Sequence, residues 1–213
     1  MPISVVIILI LVSSVFFHPA CAETTIQVEG DPVMGKTQYM TCAACHGFAG
    51  EGNSELKAPK LSGQEAWYFT RQLDNYKQGI RGKHEKDVFG QQMAGVAPLL
   101  TDDQAVRNVA AYVESLPDEP AATTVSGDVS QGASIFVTCS ACHGSQGEGV
   151  QALNAPRLAG MSDWYLVNQL KNFQRGIRGG QQNDLYGKQM MAAVAFLTDE
   201  QAINNLVAYI NTL

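Results

Sequence analysis

The chain has 213 residues, a formal net charge of −6, 46% hydrophobic residues and 16% charged residues. Disordered chains combine low hydrophobicity with high net charge, so this composition predicts a folded globular protein. It argues against nucleic acid as a partner, because phosphate backbones are bound through clustered lysines and arginines and the chain has no basic stripe. The length suits one large domain or two small ones.

The first 22 residues have the features of an export signal. An apolar run of about 15 residues precedes Ala20-Cys21-Ala22, a small-residue pattern typical of signal peptidase cleavage sites. The run is shorter than the roughly 20 residues that a membrane-spanning helix needs. We therefore predict cleavage after Ala22 and a periplasmic location, with an uncleaved membrane anchor as the alternative.

An internal repeat sets the domain organisation. Residues 35–116 align with residues 132–213 at a constant offset of 97, without a gap. A gapless repeat of this length indicates two copies of one fold. We predict an N-terminal domain over residues 23–116 and a C-terminal domain over residues 131–213. The segment 117–130 is rich in Pro, Ser, Thr and acidic residues, which is typical of a linker.

Helix signals recur at matching positions of the two copies. Asp31 followed by Pro32 is typical of an N-cap and first helical turn, and Asp128 opens the corresponding helix of the second copy. Capping boxes at 101–104 and 198–201, with threonine as the first residue, precede the last amphipathic run of each copy. Apolar positions at helical spacing lie between these signals: Trp67, Leu73, Tyr76, Trp164, Leu170 and Phe173. We predict at least three helices in each domain.

Two Cys-x-x-Cys-His motifs have the spacing of c-type haem attachment sites. Residues three and four apart share one face of a helical turn, so two thiols can reach the haem vinyl groups while the histidine points at the iron. The motif residues are Cys42, Cys45 and His46 in the first copy and Cys139, Cys142 and His143 in the second. We predict two covalently bound haem c groups.

Two alternative interpretations of the motifs are a thioredoxin-like redox pair and half of a zinc site. The βαβ pattern that accompanies thioredoxin-like motifs is absent from the sequence. A zinc site would need further ligands, and the chain after residue 22 offers only His84 outside the two motifs. Haem attachment is therefore the favoured interpretation.

Each haem iron needs a further ligand at an equivalent place in both copies. Met93 and Met190 align at the repeat offset, and each lies in a Gly-x-x-Met segment. We predict that His46 and Met93 are the axial ligands of one iron and that His143 and Met190 are those of the other. The adjacent Met191 is the alternative in the second domain. His/Met ligation leaves no open coordination position and raises the reduction potential, which favours an electron carrier over an enzyme.

The sequence resembles the dihaem cytochrome c4 family, whose members are two fused mono-haem cytochrome c domains. Besides the motifs and methionines, APKLSGQ (58–64) and APRLAG (155–160) match the family, as do QLDNYKQG (72–79) and QLKNFQRG (169–176). The resemblance implies an all-α fold of two tandem cytochrome c domains, each a small helical bundle around a covalently bound haem.

The resemblance also implies roles for residues near the motifs. The carbonyls of Pro59 and Pro156 are expected to accept a hydrogen bond from the ligand histidines. Arg81 and Arg178 lie in matched Gly-Ile-Arg-Gly segments. We expect these arginines either to pair with haem propionates or to be solvated at the surface.

By the same resemblance, we expect a periplasmic electron carrier with redox proteins as partners, and peripheral association with the membrane is compatible with this role. The leading hypothesis is transfer from a quinol-oxidising cytochrome bc complex to a terminal oxidase. An alternative is the electron-accepting cytochrome subunit of a periplasmic dehydrogenase. A third hypothesis, a dihaem peroxidase, needs one iron that opens easily, and the matched methionines count against it.

Overall fold

The computed structural model describes residues 30–213, so the predicted signal peptide lies outside the described residues. This part of the chain is all-α, as predicted, with four helices in each domain. The helices are α1 Pro32–His46, α2 Ala66–Lys77, α3 Val88–Val96, α4 Asp103–Glu114, α5 Val129–His143, α6 Asp163–Gln174, α7 Leu185–Val194 and α8 Glu200–Ile210. Each helix of the second domain begins 97 residues after its counterpart, so the repeat in sequence is a repeat in structure.

The first helix of each domain begins where its capping aspartate predicts. The Asp31 carboxylate accepts hydrogen bonds from the amides of Val33 and Met34, and Asp128 caps α5 in the same way. These carboxylates satisfy amide groups that have no partner inside the helix. Because Asp128 caps α5, the last two residues of the predicted linker, 117–130, belong to the helix.

The caps of the last helices differ from the prediction by one residue. Asp102 and Asp199, not the threonines before them, are the N-caps of α4 and α8. The Asp102 carboxylate accepts a hydrogen bond from the Ala105 amide at 2.7 Å. Two consecutive cap-forming residues precede each helix, and the second of them is the one that reaches the free amides of the first turn.

The first and last helices of each domain pack closely together, α1 against α4 and α5 against α8. A glycine permits the close approach in each case. A Cβ atom on Gly35 would lie 1.9 Å from the carbonyl oxygen of Asn108, and one on Gly132 would lie 2.0 Å from that of Asn205. The side chains of the two asparagines accept hydrogen bonds from the amides of Asp31 and Asp128, each at 2.8 Å. The same contact therefore fixes the start of the first helix in both domains.

The linker is bound to both domains. The Asp118 carboxylate accepts hydrogen bonds from Lys60 of the N-terminal domain and Arg157 of the C-terminal domain, at 2.7 and 2.6 Å. Further along, the buried carboxylate of Asp163 accepts hydrogen bonds from the amides of Thr124 and Val125. Across residues 30–213, none of the helices has the length and apolar character needed to cross a bilayer.

Candidate haem-binding sites

Both Cys-x-x-Cys-His motifs lie at the C-terminal end of the first helix of their domain. His46 and His143 are the last residues of α1 and α5, and both are buried. The first cysteine of each motif is half-buried, whereas the second is exposed. Each motif therefore places its histidine and one thiol inside the domain and its other thiol at the surface.

A proline carbonyl orients each histidine ring, as the resemblance implied. The Nδ1 atoms of His46 and His143 lie 2.7 Å from the carbonyl oxygens of Pro59 and Pro156. A carbonyl oxygen only accepts hydrogen bonds, so Nδ1 carries the proton and the Nε2 lone pair is free to bind a metal. Burial lowers the pKa of both imidazoles, and the proline hydrogen bond offsets this only in part. The neutral form, which binds metals, is therefore favoured.

The properties of the thiols oppose the thioredoxin-like interpretation of the motifs. Burial raises the pKa of Cys42 and of Cys139 to about 11. A thioredoxin-like pair depends on a thiol with a lowered pKa, so this environment is unsuitable for one. Within residues 30–213, no group of three or more His, Cys, Asp or Glu side chains is arranged to hold a metal ion.

A cavity in each domain brings the predicted ligands together. The N-terminal cavity is lined by His46, Pro59 and Met93, with neither cysteine in its wall. The corresponding C-terminal cavity is lined by both cysteines of its motif and by His143, Pro156 and Met190. A histidine on the first helix and a methionine on the third therefore face one cavity in both domains. The ligand roles themselves remain predictions.

Met191, the alternative ligand, lies outside the wall of the C-terminal cavity. Its Cγ atom would be 2.7 Å from a Cβ atom on Gly179, and its Cε atom 3.7 Å from one on Gly176. The side chain therefore packs against the glycine turn that follows α6. This placement favours Met190 over Met191 as the iron ligand.

Arg81 and Arg178 meet between the two domains. Arg81 donates to Gln72 of its own domain at 2.9 Å and to the Tyr165 hydroxyl of the other at 2.6 Å. Arg178 makes the equivalent contacts, to Gln169 of its own domain and to the Tyr68 hydroxyl. The contacts are related by the repeat offset, as expected for an interface with twofold pseudosymmetry.

The charge of this arginine pair fits a haem in each cavity. Arg81 is only 8% exposed, so it is not the solvated surface residue that one alternative predicted. Neither arginine has a salt bridge within the described chain, and the Nε atom of Arg81 is buried without a hydrogen-bond partner. Buried charges need a counterion, and haem propionates would supply it. Arg81 lines both cavities and Arg178 the C-terminal one, so both arginines lie where propionates could reach them.

Sequence reasoning missed the interface itself. Seven residues line both cavities: Gln64, Tyr68, Gln72, Arg81, Met161, Tyr165 and Gln169. The sequence does contain one pattern that belongs to this interface. Tyr68 and Gln72 lie four residues apart on α2, and the pair is repeated as Tyr165 and Gln169 on α6. Residues four apart lie on one face of a helix, so both copies carry the same polar pair on the same face. The two candidate haem sites are therefore neighbours with a common wall.

Comparison with known proteins agrees with this geometry. The sequence model of the family described as Cytochrome c matches residues 33–117 and 129–213. The chain is 34% identical over 184 residues to a cytochrome c4 of Thiocapsa roseopersicina, covering 81% of this chain and 88% of the relative. It is 33% identical over 159 residues to a protein of Stutzerimonas stutzeri named thiosulfate dehydrogenase electron acceptor, covering 70% of this chain and 69% of the relative.

A solved structure with the same fold is the reduced recombinant cytochrome c4 from Pseudomonas stutzeri. It superposes with a TM-score of 0.68 at 28% identity, covering 86% of this chain and 99% of that chain. Together with the two matched domains and their attachment motifs, this similarity indicates two covalently bound haem c groups. The chain belongs to the dihaem cytochrome c4 family of electron-transfer proteins.

Proposed function

We propose that the protein is an exported, periplasmic dihaem electron carrier and not an enzyme. In this proposal His46 and Met93 would bind the haem iron of the N-terminal domain, and His143 and Met190 would bind that of the C-terminal domain. The observation that carries the electron-carrier assignment is that a buried histidine and a methionine line the same cavity in each domain. When bound, haem c would supply one-electron redox chemistry, and two protein ligands to each iron would leave no position for substrate.

The protein's own groups hold the histidines in a ligating geometry. The proline carbonyls fix the ring planes, and burial keeps the imidazoles neutral. In the N-terminal domain the Tyr39 hydroxyl also donates to the Gly47 carbonyl at 2.9 Å, which secures the turn directly after His46. Rigid ligands suit electron transfer, because little reorganisation is needed when the charge changes.

The common wall between the cavities supports transfer between the two sites within one molecule. Side chains from both domains contribute to it, and Arg81 and Arg178 link the domains through hydrogen bonds in both directions. A carrier built this way can accept an electron at one site and release it at the other.

We propose a quinol-oxidising cytochrome bc complex as the donor and a terminal oxidase as the acceptor. The test uses the ferric holoprotein with membranes that contain both complexes. Quinol should reduce the protein, an inhibitor of the bc complex should block this reduction, and the oxidase should reoxidise the product. If quinol reduces the protein at the same rate with the bc complex inhibited, this donor is wrong.

A second candidate is the electron acceptor of a periplasmic dehydrogenase. The name of the Stutzerimonas stutzeri relative, thiosulfate dehydrogenase electron acceptor, favours it. Under this alternative a purified thiosulfate dehydrogenase with thiosulfate should reduce the holoprotein rapidly, and the bc inhibitor should have no effect. The same stopped-flow measurement of haem reduction therefore distinguishes the two donors.

A further inference from the structure

One position at the interface carries a half-buried cation in one domain and an uncharged residue in the other. Helix α2 places Arg71 in the wall of the C-terminal cavity, and helix α6 places Asn168 in the wall of the N-terminal cavity. The two positions are equivalent in the repeat. Each domain therefore contributes one residue of this kind to its neighbour's cavity, and only the C-terminal site receives a cation.

Arg71 contacts the C-terminal site on two sides. Its guanidinium group donates to the side-chain and backbone oxygens of Asn154, at 2.8 and 3.0 Å. It also lies over the ring of Tyr186, 4.6 Å from the centroid. Asn154 precedes Pro156, which orients His143, and Tyr186 precedes Met190 on α7. One side chain of the N-terminal domain thus contacts the loop before Pro156 and the helix that carries Met190.

Arg71 brings to the C-terminal cavity a positive charge that no carboxylate contacts directly in the described part of the chain. The side chain is half-buried, and it has no salt bridge among residues 30–213. Guanidinium groups stay protonated even when partly buried. A charge in such a position is screened less than one at the surface, so it acts on the adjacent site.

The other ionisable residues do not balance this charge. Asp87 and Asp184 occupy equivalent places in the two cavities, as do the cations Lys60 and Arg157. Arg81 lines both cavities and Arg178 only the C-terminal one, which adds to the same difference. The remaining cation of the N-terminal cavity, Lys57, is exposed to solvent and therefore well screened.

We propose that Arg71 raises the reduction potential of the C-terminal haem and thereby sets the direction of electron transfer inside the molecule. A nearby cation favours the ferrous state, which carries one positive charge less than the ferric state. With both haems bound, one electron would pass from the N-terminal iron, oxidised from ferrous to ferric, to the C-terminal iron, reduced from ferric to ferrous. The inference goes beyond the proposed carrier role, because it orders the two haems whichever partners they serve.

The test compares Arg71→Asn, which copies the residue of the equivalent position, with Arg71→Lys, which keeps the charge. Redox titration of the holoprotein, followed by NMR of the ligand methionine methyl groups, gives one potential for each domain. Arg71→Asn should lower the C-terminal potential and leave the N-terminal potential nearly unchanged. The difference between the two reduction potentials should change by about 59 mV, which corresponds to about a tenfold change in the equilibrium constant for one-electron exchange between the haems. Arg71→Lys should retain most of the original difference.

If Arg71→Asn fails to fold, the reciprocal variant Asn168→Arg tests the effect of a cation at this position on the reduction potential. It adds a cation to the N-terminal cavity and should raise the N-terminal reduction potential by about as much as Arg71→Asn lowers the C-terminal one. Three results would overturn the inference: an equal shift of both potentials in Arg71→Asn, no shift in either variant, or a loss in Arg71→Lys as large as in Arg71→Asn. These potentials do not depend on the donor, so the outcome is separate from that of the proposed function.

Discussion

The N-terminal and C-terminal domains share the residues that orient their histidines, whereas at the interface one equivalent pair of residues differs in charge. The tight glycines Gly35 and Gly132 and the histidine-orienting prolines Pro59 and Pro156 are the same in both copies. At the interface, by contrast, Arg71 corresponds to Asn168. The residues that orient the two histidines are therefore equivalent, whereas Arg71 brings a positive charge to the C-terminal cavity and its counterpart Asn168 brings none to the N-terminal cavity.

The linker adds a second departure from symmetry. Lys60 and Arg157, which directly follow the two prolines, each donate to a glycine carbonyl of the opposite domain, Gly160 and Gly63. Both cations also bind the single carboxylate of Asp118. One linker residue is therefore connected to the loop next to each histidine, and it couples the positions of the two sites.

Removing one attachment site should have the largest effect. In Cys139→Ala/Cys142→Ala the C-terminal haem has no thioether bonds and should be lost, because covalent attachment is what retains it. Mass spectrometry should then show one haem in place of two, carried by the N-terminal domain. Cys42→Ala/Cys45→Ala is the matched control and should lose the other haem. Retention of two haems in either variant would contradict the attachment sites.

Replacing a predicted distal ligand should have the next largest effect. Met190→Ala removes the thioether that favours ferrous iron. The C-terminal reduction potential should therefore fall by about two steps of 59 mV, which is about a hundredfold change in the redox equilibrium constant. Cyanide should also bind this domain more readily. Met191→Ala is the control, because Met191 packs against Gly176 and Gly179 and should leave ligation intact. The reverse result, with Met191→Ala opening the iron and Met190→Ala not, would make the assignment wrong.

The tight helix crossings predict equal losses of stability in the two domains. Gly35→Ala and Gly132→Ala each push a methyl group into a backbone carbonyl, so each should lower the free energy of unfolding of its domain by about 3 kcal/mol. Gly95→Ala is the control, because nothing lies within 4 Å of a Cβ atom there, and alanine should stabilise the helix by about 0.5 kcal/mol. Denaturant unfolding monitored by haem absorption measures all three. Tolerance of alanine at only one crossing would contradict the equivalence of the domains.

Loss of the linker carboxylate should have the smallest effect, and the effect should depend on pH. Burial alone would raise the pKa of Asp118, but hydrogen bonds and charges from Lys60 and Arg157 outweigh burial and lower it. A lowered pKa in the folded state stabilises the protein above the unfolded value, about 3.9, and this contribution disappears as the pH falls through the folded pKa.

Asp118→Asn should therefore cost about 2 kcal/mol at pH 7, because it leaves the buried Lys60 ammonium without its anionic partner. The difference from the parent protein should shrink below about pH 4. Urea denaturation at both pH values provides the measurement. A difference that grows in acid would show that the ion pairs are not its source.

Much of the fold and of each haem site follows from the sequence, because it depends on local patterns. The offset of 97, the aspartate caps of α1 and α5, and the pairing of histidine with proline all appear in the structure at the predicted positions. The interface could not be predicted in the same way. Helical periodicity identifies a buried face but does not say which distant surface covers it, so the Tyr165 and Gln169 contacts of Arg81 were not expected.

The methionine-to-ferric-iron charge-transfer band of the holoprotein tests most directly whether both irons have the same ligands. Its intensity, divided by the haem content from mass spectrometry, counts the methionine-ligated haems. Two such haems per chain and no turnover of hydrogen peroxide are expected if Met93 and Met190 both bind iron. A band from one haem only, together with peroxide turnover at the other, would contradict the assignment of the protein as an electron carrier.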